Sequence, residues 1–173
     1  DPRGPFGDFY HWRDPVGDGP PNNWHSFFGG SAWEYVPERR QYYLHLFAPE
    51  QADLNWENPR VREEIYRIIR WWFDRGVDGF RMDVINMISK DPDFPNDERV
   101  LPAGATRGTP YFVNGPRLHD HLRDMRREAL RKEQRTAVGE CPGAHLAEIR
   151  RIAALDRSEL DMAIQMELME IDH

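Results

Sequence analysis

The chain has 173 residues, of which 39% are apolar and 31% charged, with a formal net charge of −7 and a single cysteine. That profile excludes a disordered chain and an internal disulfide framework, and no apolar run approaches the roughly 20 residues that a bilayer-spanning helix needs. The basic residues are interleaved with acids rather than massed, which argues against nucleic acid, because phosphate binding needs a concentrated basic surface. A neutral substrate suits this balance, no membrane partner is indicated, and the lone Cys141 is compatible with a reducing, cytoplasmic setting.

Residues 1–50 carry many Pro and Gly among Trp, Tyr and Phe, and are expected to form a loop-rich subdomain packed on its own aromatics. Within it the QYYLHLF segment, Gln41 to Phe47, has the β propensity of a short strand. Asn58 and Pro59 then read as N-cap and first position of a helix, with Val61, Ile65, Ile68, Ile69 and Trp72 as its apolar face and Gly76 at its end. Val77, Phe80, Met82 and Val84 alternate and predict a buried strand ending near Asp83. Residues 89–113 are expected to be a long loop. A second helix follows from about Asn114, with Leu118, Leu122, Met125 and Ala129 on one stripe. Thr136 to Cys141 reads as a strand, Ala144 to Ala154 as a third helix and Leu160 to Met166 as a further strand. Helix and strand alternate through residues 51–173, as in parallel β/α units.

Two carboxylates fall where a predicted strand gives way to a loop: Asp83 after FRM and Glu140 after AVG. In a β/α barrel, strand ends share one mouth where catalytic groups collect. Two carboxylates there could act as nucleophile and acid/base in retaining glycoside hydrolysis. Arg81 lies two residues before Asp83, on the same strand face, and could hold it ionised. Glu140 would need the opposite treatment, a raised pKa. Spacing alone leaves open a structural Arg–Asp pair and a helix-capping Glu.

The segment GVDGFRMDVIN resembles the nucleophile-bearing segment of glycoside hydrolase family 13, the α-amylase family, and VGECPG resembles its acid/base segment. QADLNWENP is similar to the stretch that typifies the oligo-1,6-glucosidase group of that family, with Ala52 where the group usually has Pro and Cys141 where several relatives have Met. PPNNWHSFFGGSAWE and QYYLHLF resemble the subdomain this group inserts into its barrel. The resemblance implies a partial (β/α)8 barrel, about strands 4 to 6, with part of the inserted subdomain in residues 1–50 and barrel in 51–173. It implies Asp83 as nucleophile, Glu140 as acid/base, Arg81 as the partner of Asp83, and Val84 as a substrate-contacting residue favouring α-1,6 over α-1,4 bonds. The implied activity is that of a retaining α-glucosidase on short oligosaccharides, without cofactor.

Trehalose-6-phosphate hydrolase, trehalose synthase or sucrose isomerase of the same family are the alternatives. A non-enzymatic transporter-partner relative and a non-functional remnant are also alternatives, and the catalytic constellation Arg81, Asp83 and Glu140 speaks against the transporter partner. By resemblance, a substrate-binding His would precede residue 1 and a further catalytic Asp would follow residue 173, so the isolated segment is expected to be inactive. The seven histidines, His11, His25, His45, His119, His121, His145 and His173, show no zinc-like spacing, and His119 and His121 are expected at the surface. Asp91, Asp93 and Asp97 lack the Gly and closing Glu of an EF-hand loop, so no metal is expected. Cys141 is expected to be a small buried residue, and the aromatics Trp12, Trp24, Phe27, Phe28 and Trp33 to pack on one another.

Overall fold

The computed structural model describes residues 2–130 and 135–166; His173 lies outside them. The first part of the chain builds a small antiparallel sheet from β1 (Trp12–Arg13), β2 (Trp33–Val36) and β3 (Gln41–Leu44), in the order β1-β3-β2. Its aromatics pack on themselves as expected, with Trp24 stacked on Phe94 at 5.3 Å between ring centroids and Trp24 and Trp33 both buried. This core also takes Met87, Phe94 and Phe112 from the later loop, so that loop is folded down on the aromatic region. Phe28 meets the Phe47 ring edge-on at 5.7 Å as well, although it stands 73% exposed.

Helix α1 (Pro59–Phe73) starts as its sequence dictates: the Asn58 side chain accepts the Arg60 N–H at 2.9 Å, and Pro59 sits where a missing N–H costs nothing. Its buried residues are Val61, Tyr66, Ile69 and Phe73. This corrects the expected stripe, because Ile68 and Trp72 are 40% and 45% exposed. The helix is rotated so that Tyr66 and Phe73 face inward, where Phe73 meets the Phe80 ring edge-on at 5.1 Å.

Strand β4 (Gly79–Met82) follows and is half-buried rather than buried, with Arg81 exposed. The long loop after it holds a single 3-10 turn, Ile85–Met87, and a short helix α2 (Thr109–Phe112) that periodicity did not reveal. Helix α3 (Leu118–Ala129) buries Leu118, Leu122, Met125 and Ala129, the expected stripe. Strand β5 (Thr136–Glu140), helix α4 (Leu146–Ile152) and strand β6 (Met162–Ile164) complete the order. Strands β4, β5 and β6 pair in parallel in that order, and α1, α3 and α4 share one apolar core with them. Gly139 lies within it, where an added Cβ would stand 2.5 Å from Leu160 Cδ1 and 2.8 Å from Ile85 Cγ2. No helix among the described residues is long and apolar enough to cross a membrane.

Both helical histidines correct the surface expectation: His119 is 7% and His121 0% exposed. Two residues apart on a helix, they diverge, yet each meets a different packed neighbour. His119 Nδ1 faces Glu159 at 2.8 Å and its Nε2 faces Glu148, so α3 is tied to α4 and to the turn before β6. Burial pushes the His119 pKa down, but the bonds to Glu159 and Glu148 outweigh it and the pKa is raised. His121 Nε2 meets Glu57 at 3.2 Å, and burial leaves its pKa lowered.

An enclosed ion pair ties the loop after β4 to the segment that precedes α1. Lys90, 5% exposed, donates from Nζ to Asp53 and to the Met87 carbonyl, the latter at 2.7 Å. Burial raises the Asp53 pKa against the pull of Lys90, so the pair sits in a costly environment. Removing one partner strands the other charge. Lys90→Met is therefore expected to lower unfolding stability by about 3 kcal/mol, read by equilibrium urea denaturation. An unchanged midpoint would mean that Asp53 finds another partner.

Candidate active site

The parallel register sets Arg81 beside Val138 and Met82 beside Gly139, so β4 and β5 end level with each other. Asp83 is the first residue past β4 and Glu140 the last of β5. Their side chains therefore leave neighbouring strand ends on the same side of the sheet, the placement that the sequence predicted. Arg81 joins them: one guanidinium nitrogen donates to Asp83 Oδ1 and the other to Glu140 Oε2 at 2.6 Å. Two carboxylates are thus held by one planar fork, the geometry for which arginine is suited. The Asp83 side chain is 70% exposed and that of Glu140 16%, so the first is open to an incoming molecule and the second is sheltered. The Arg81 hydrogen bond, with a further one from Glu140, holds the Asp83 carboxyl below its ordinary pKa.

Val84, the residue after Asp83, has φ 37° and ψ 40°, in the left-handed region. A β-branched residue there is a true outlier, and such strain persists only where its surroundings enforce it. The conformation turns the chain sharply out of β4 and brings the Val84 N–H to 3.4 Å from Glu140 Oε2.

Sequence reasoning missed two residues of this region, Asn86 and Asn114. Asn86 is fully buried and donates to Asn114 Oδ1 and to the Pro142 carbonyl, both at 2.9 Å. The available signal was one amide within the apolar run VINMI, which must find partners when buried. A cavity of about 460 Å³ opens beside these loops, lined by Phe27, Met87, Val113, Asn114, Pro142 and His145 among others. Phe27, expected only to pack on other aromatics, is one of its walls.

Cys141 is fully buried, and burial together with the Glu140 charge pushes its thiol up to about 12. It packs as a small apolar group, as expected. Among the described residues no three His, Cys, Asp or Glu side chains gather where a metal could be held. Asp97 is instead engaged by Arg99 and by the Gly108 N–H at 2.8 Å, which keeps its pKa depressed.

Comparison with known proteins places this arrangement in context. Residues 2–173 match the alpha-amylase catalytic-domain family. An oligo-1,6-glucosidase of Heyndrickxia coagulans is 51% identical over 97% of the chain, and a trehalose-6-phosphate hydrolase of Escherichia coli (strain K12) is 48% identical over 98% of it. The crystal structure of a Bacillus licheniformis trehalose-6-phosphate hydrolase superposes with a TM-score of 0.91 over 99% of the chain at 42% identity. The chain spans 30% of the length of each of these proteins.

Proposed function

This chain belongs to the α-amylase family, and from that premise we propose that it supplies the catalytic carboxylates of a retaining α-glucosidase acting on short oligosaccharides. In this reading β4, β5 and β6 are the fourth to sixth strands of a (β/α)8 barrel. Residues 1–50 are then part of an inserted subdomain and 51–173 part of the barrel. The observation that carries the proposal is the pair of strand-end carboxylates, Asp83 and Glu140, on a single guanidinium.

The chemistry follows from their difference. Asp83, kept ionised by Arg81, attacks the anomeric carbon of a terminal glucose, and the glycosidic C–O bond breaks as a covalent glycosyl-aspartate forms. Glu140 gives its proton to the departing oxygen. In the second step Glu140, now a carboxylate, takes a proton from water, whose oxygen displaces Asp83 and restores the α configuration. Val84 stands beside the nucleophile and would bear on the bond cleaved, with α-1,6 linkages preferred over α-1,4. The substrate is a neutral sugar; a cytoplasmic location accords with the enclosed, unpaired Cys141.

Trehalose-6-phosphate hydrolase is the second reading, favoured by the E. coli and B. licheniformis relatives. Isomaltose and trehalose 6-phosphate offered in parallel to the full-length enzyme separate the two. Proton NMR of the first glucose released from p-nitrophenyl α-glucoside is expected to show the α anomer, whereas the β anomer would sink the retaining mechanism.

The role of Arg81 has a pH signature. Because Asp83 has a depressed pKa, its charged form persists as pH falls and is lost only on passing below that pKa. Arg81→Gln removes the main cause, so the Asp83 pKa rises and the acid limb of kcat/KM moves to higher pH. A mutant limb that coincides with the wild type would remove Arg81 from this role.

A further inference from the structure

Asn86 is three residues beyond Asp83 and has 0% exposure. Both hydrogens of its primary amide are used, one on Asn114 Oδ1 and one on the Pro142 carbonyl, each at 2.9 Å. Its own backbone carbonyl accepts the Asn114 N–H at 2.8 Å, so Asn86 and Asn114 grip each other twice. Pro142 lies two residues beyond Glu140. The amide therefore bridges the turn that follows one catalytic carboxylate and the loop that follows the other. Its Oδ1 has no partner, so this buried group is retained at a cost in desolvation. An apolar residue in this run would bury more cheaply.

A second tie runs parallel to it. The strained Val84 directs its N–H toward Glu140 Oε2 at 3.4 Å, and Asn86 holds the middle of the turn that follows it, Ile85–Met87. With the turn fixed at Val84 and at Asn86, the distance between the end of β4 and the end of β5 has little freedom. The strain at Val84 needs such an anchor, since a left-handed β-branched residue relaxes wherever its neighbours allow.

The geometry points to Asn86 as a positioning residue that sets Glu140 at the correct separation from Asp83, an inference that rests on the proposed pair of catalytic carboxylates. Asn86 touches neither substrate nor reacting atoms. It acts through Pro142 and the turn 84–87 on the acid/base group. Groups that support a reacting constellation this way fix it to within fractions of an ångström, and a misplacement of about 1 Å can cost on the order of 10²-fold in rate.

The test uses the full-length enzyme and two substrates that differ in their need for a proton. Isomaltose expels a sugar alkoxide and depends on Glu140. α-Glucosyl fluoride expels fluoride and depends on it far less in the first step. Asn86→Asp, isosteric but without the two donors, and Asn86→Ala are expected to lower kcat on isomaltose by roughly 10²-fold. KM should change less than kcat, and kcat/KM for the fluoride, which reports the first step alone, should fall much less than kcat/KM for isomaltose. Asn114→Gly keeps the Pro142 bond and its own backbone bond to Asn86, so it should show the same bias at smaller size. It also carries the comparison if the Asn86 variants melt below assay temperature. Equal losses of kcat/KM on both substrates, or none, in variants that keep the wild-type melting temperature would overturn the inference and leave Asn86 a packing residue. Asp83→Asn runs as reference: if that variant kept full turnover of both substrates, the carboxylate-pair reading itself would fail, a result distinct from any outcome at Asn86.

Discussion

Asp83→Asn in the full-length enzyme is expected to reduce kcat/KM on isomaltose by roughly 10⁴- to 10⁶-fold, the scale on which loss of a nucleophile acts. The substitution is nearly isosteric, and the amide oxygen can still accept the Arg81 N–H that Asp83 Oδ1 accepts, so the fold should survive. What disappears is the negative charge that attacks carbon. The side chain is 70% exposed and no described core residue depends on it, which separates a chemical loss from a structural one. Kinetics with isomaltose, beside a thermal melt, check the expectation. A loss below tenfold with an unchanged melt would mean that another group attacks.

Glu140→Gln should act differently. The amide can neither donate its proton to the leaving oxygen nor take one from water, so turnover of isomaltose is expected to fall by about 10²- to 10⁴-fold. The first step on α-glucosyl fluoride should be largely spared, and the glycosyl-enzyme should then accumulate. Azide, which needs no base, should restore turnover and yield α-glucosyl azide, visible by NMR. Failure of azide to restore turnover, with equal losses on both substrates, would remove Glu140 from the acid/base role.

Much of the architecture was legible because local signals agreed with one another. Asn58 and Pro59 begin α1, and Leu118, Leu122, Met125 and Ala129 bury along α3, since capping and a 3.6-residue period act within a few residues. The alternation of helix and strand fixed the parallel order of β4, β5 and β6 for the same reason. The placement of Asp83 and Glu140 at neighbouring strand ends followed from that order, although the shared guanidinium of Arg81 did not.

Long-range contacts decided the rest. Ile68 and Trp72 fit the helical period of α1 as well as Tyr66 does, and remote partners such as Phe80 and helix α3 determine which way the helix turns. His119 is buried because Glu148 and Glu159, distant in sequence, complete its two ring nitrogens. The left-handed Val84 lies in a run that alternates like a strand, and the partners of Asn86 are Asn114 and Pro142 in two other loops. None of these is encoded in spacing. Each depends on where a remote segment of chain arrives.

The most direct test of the central claim is to trap the covalent intermediate. The full-length enzyme is incubated with 5-fluoro-α-glucosyl fluoride, which forms the glycosyl-enzyme faster than it is hydrolysed, and the digested protein is read by mass spectrometry. The label is expected on the peptide containing Asp83, fragmenting at that residue, and to be absent from Asp83→Asn. A label on a different carboxylate, or inhibition with no covalent adduct and β-glucose as the first product from p-nitrophenyl α-glucoside, would contradict the account.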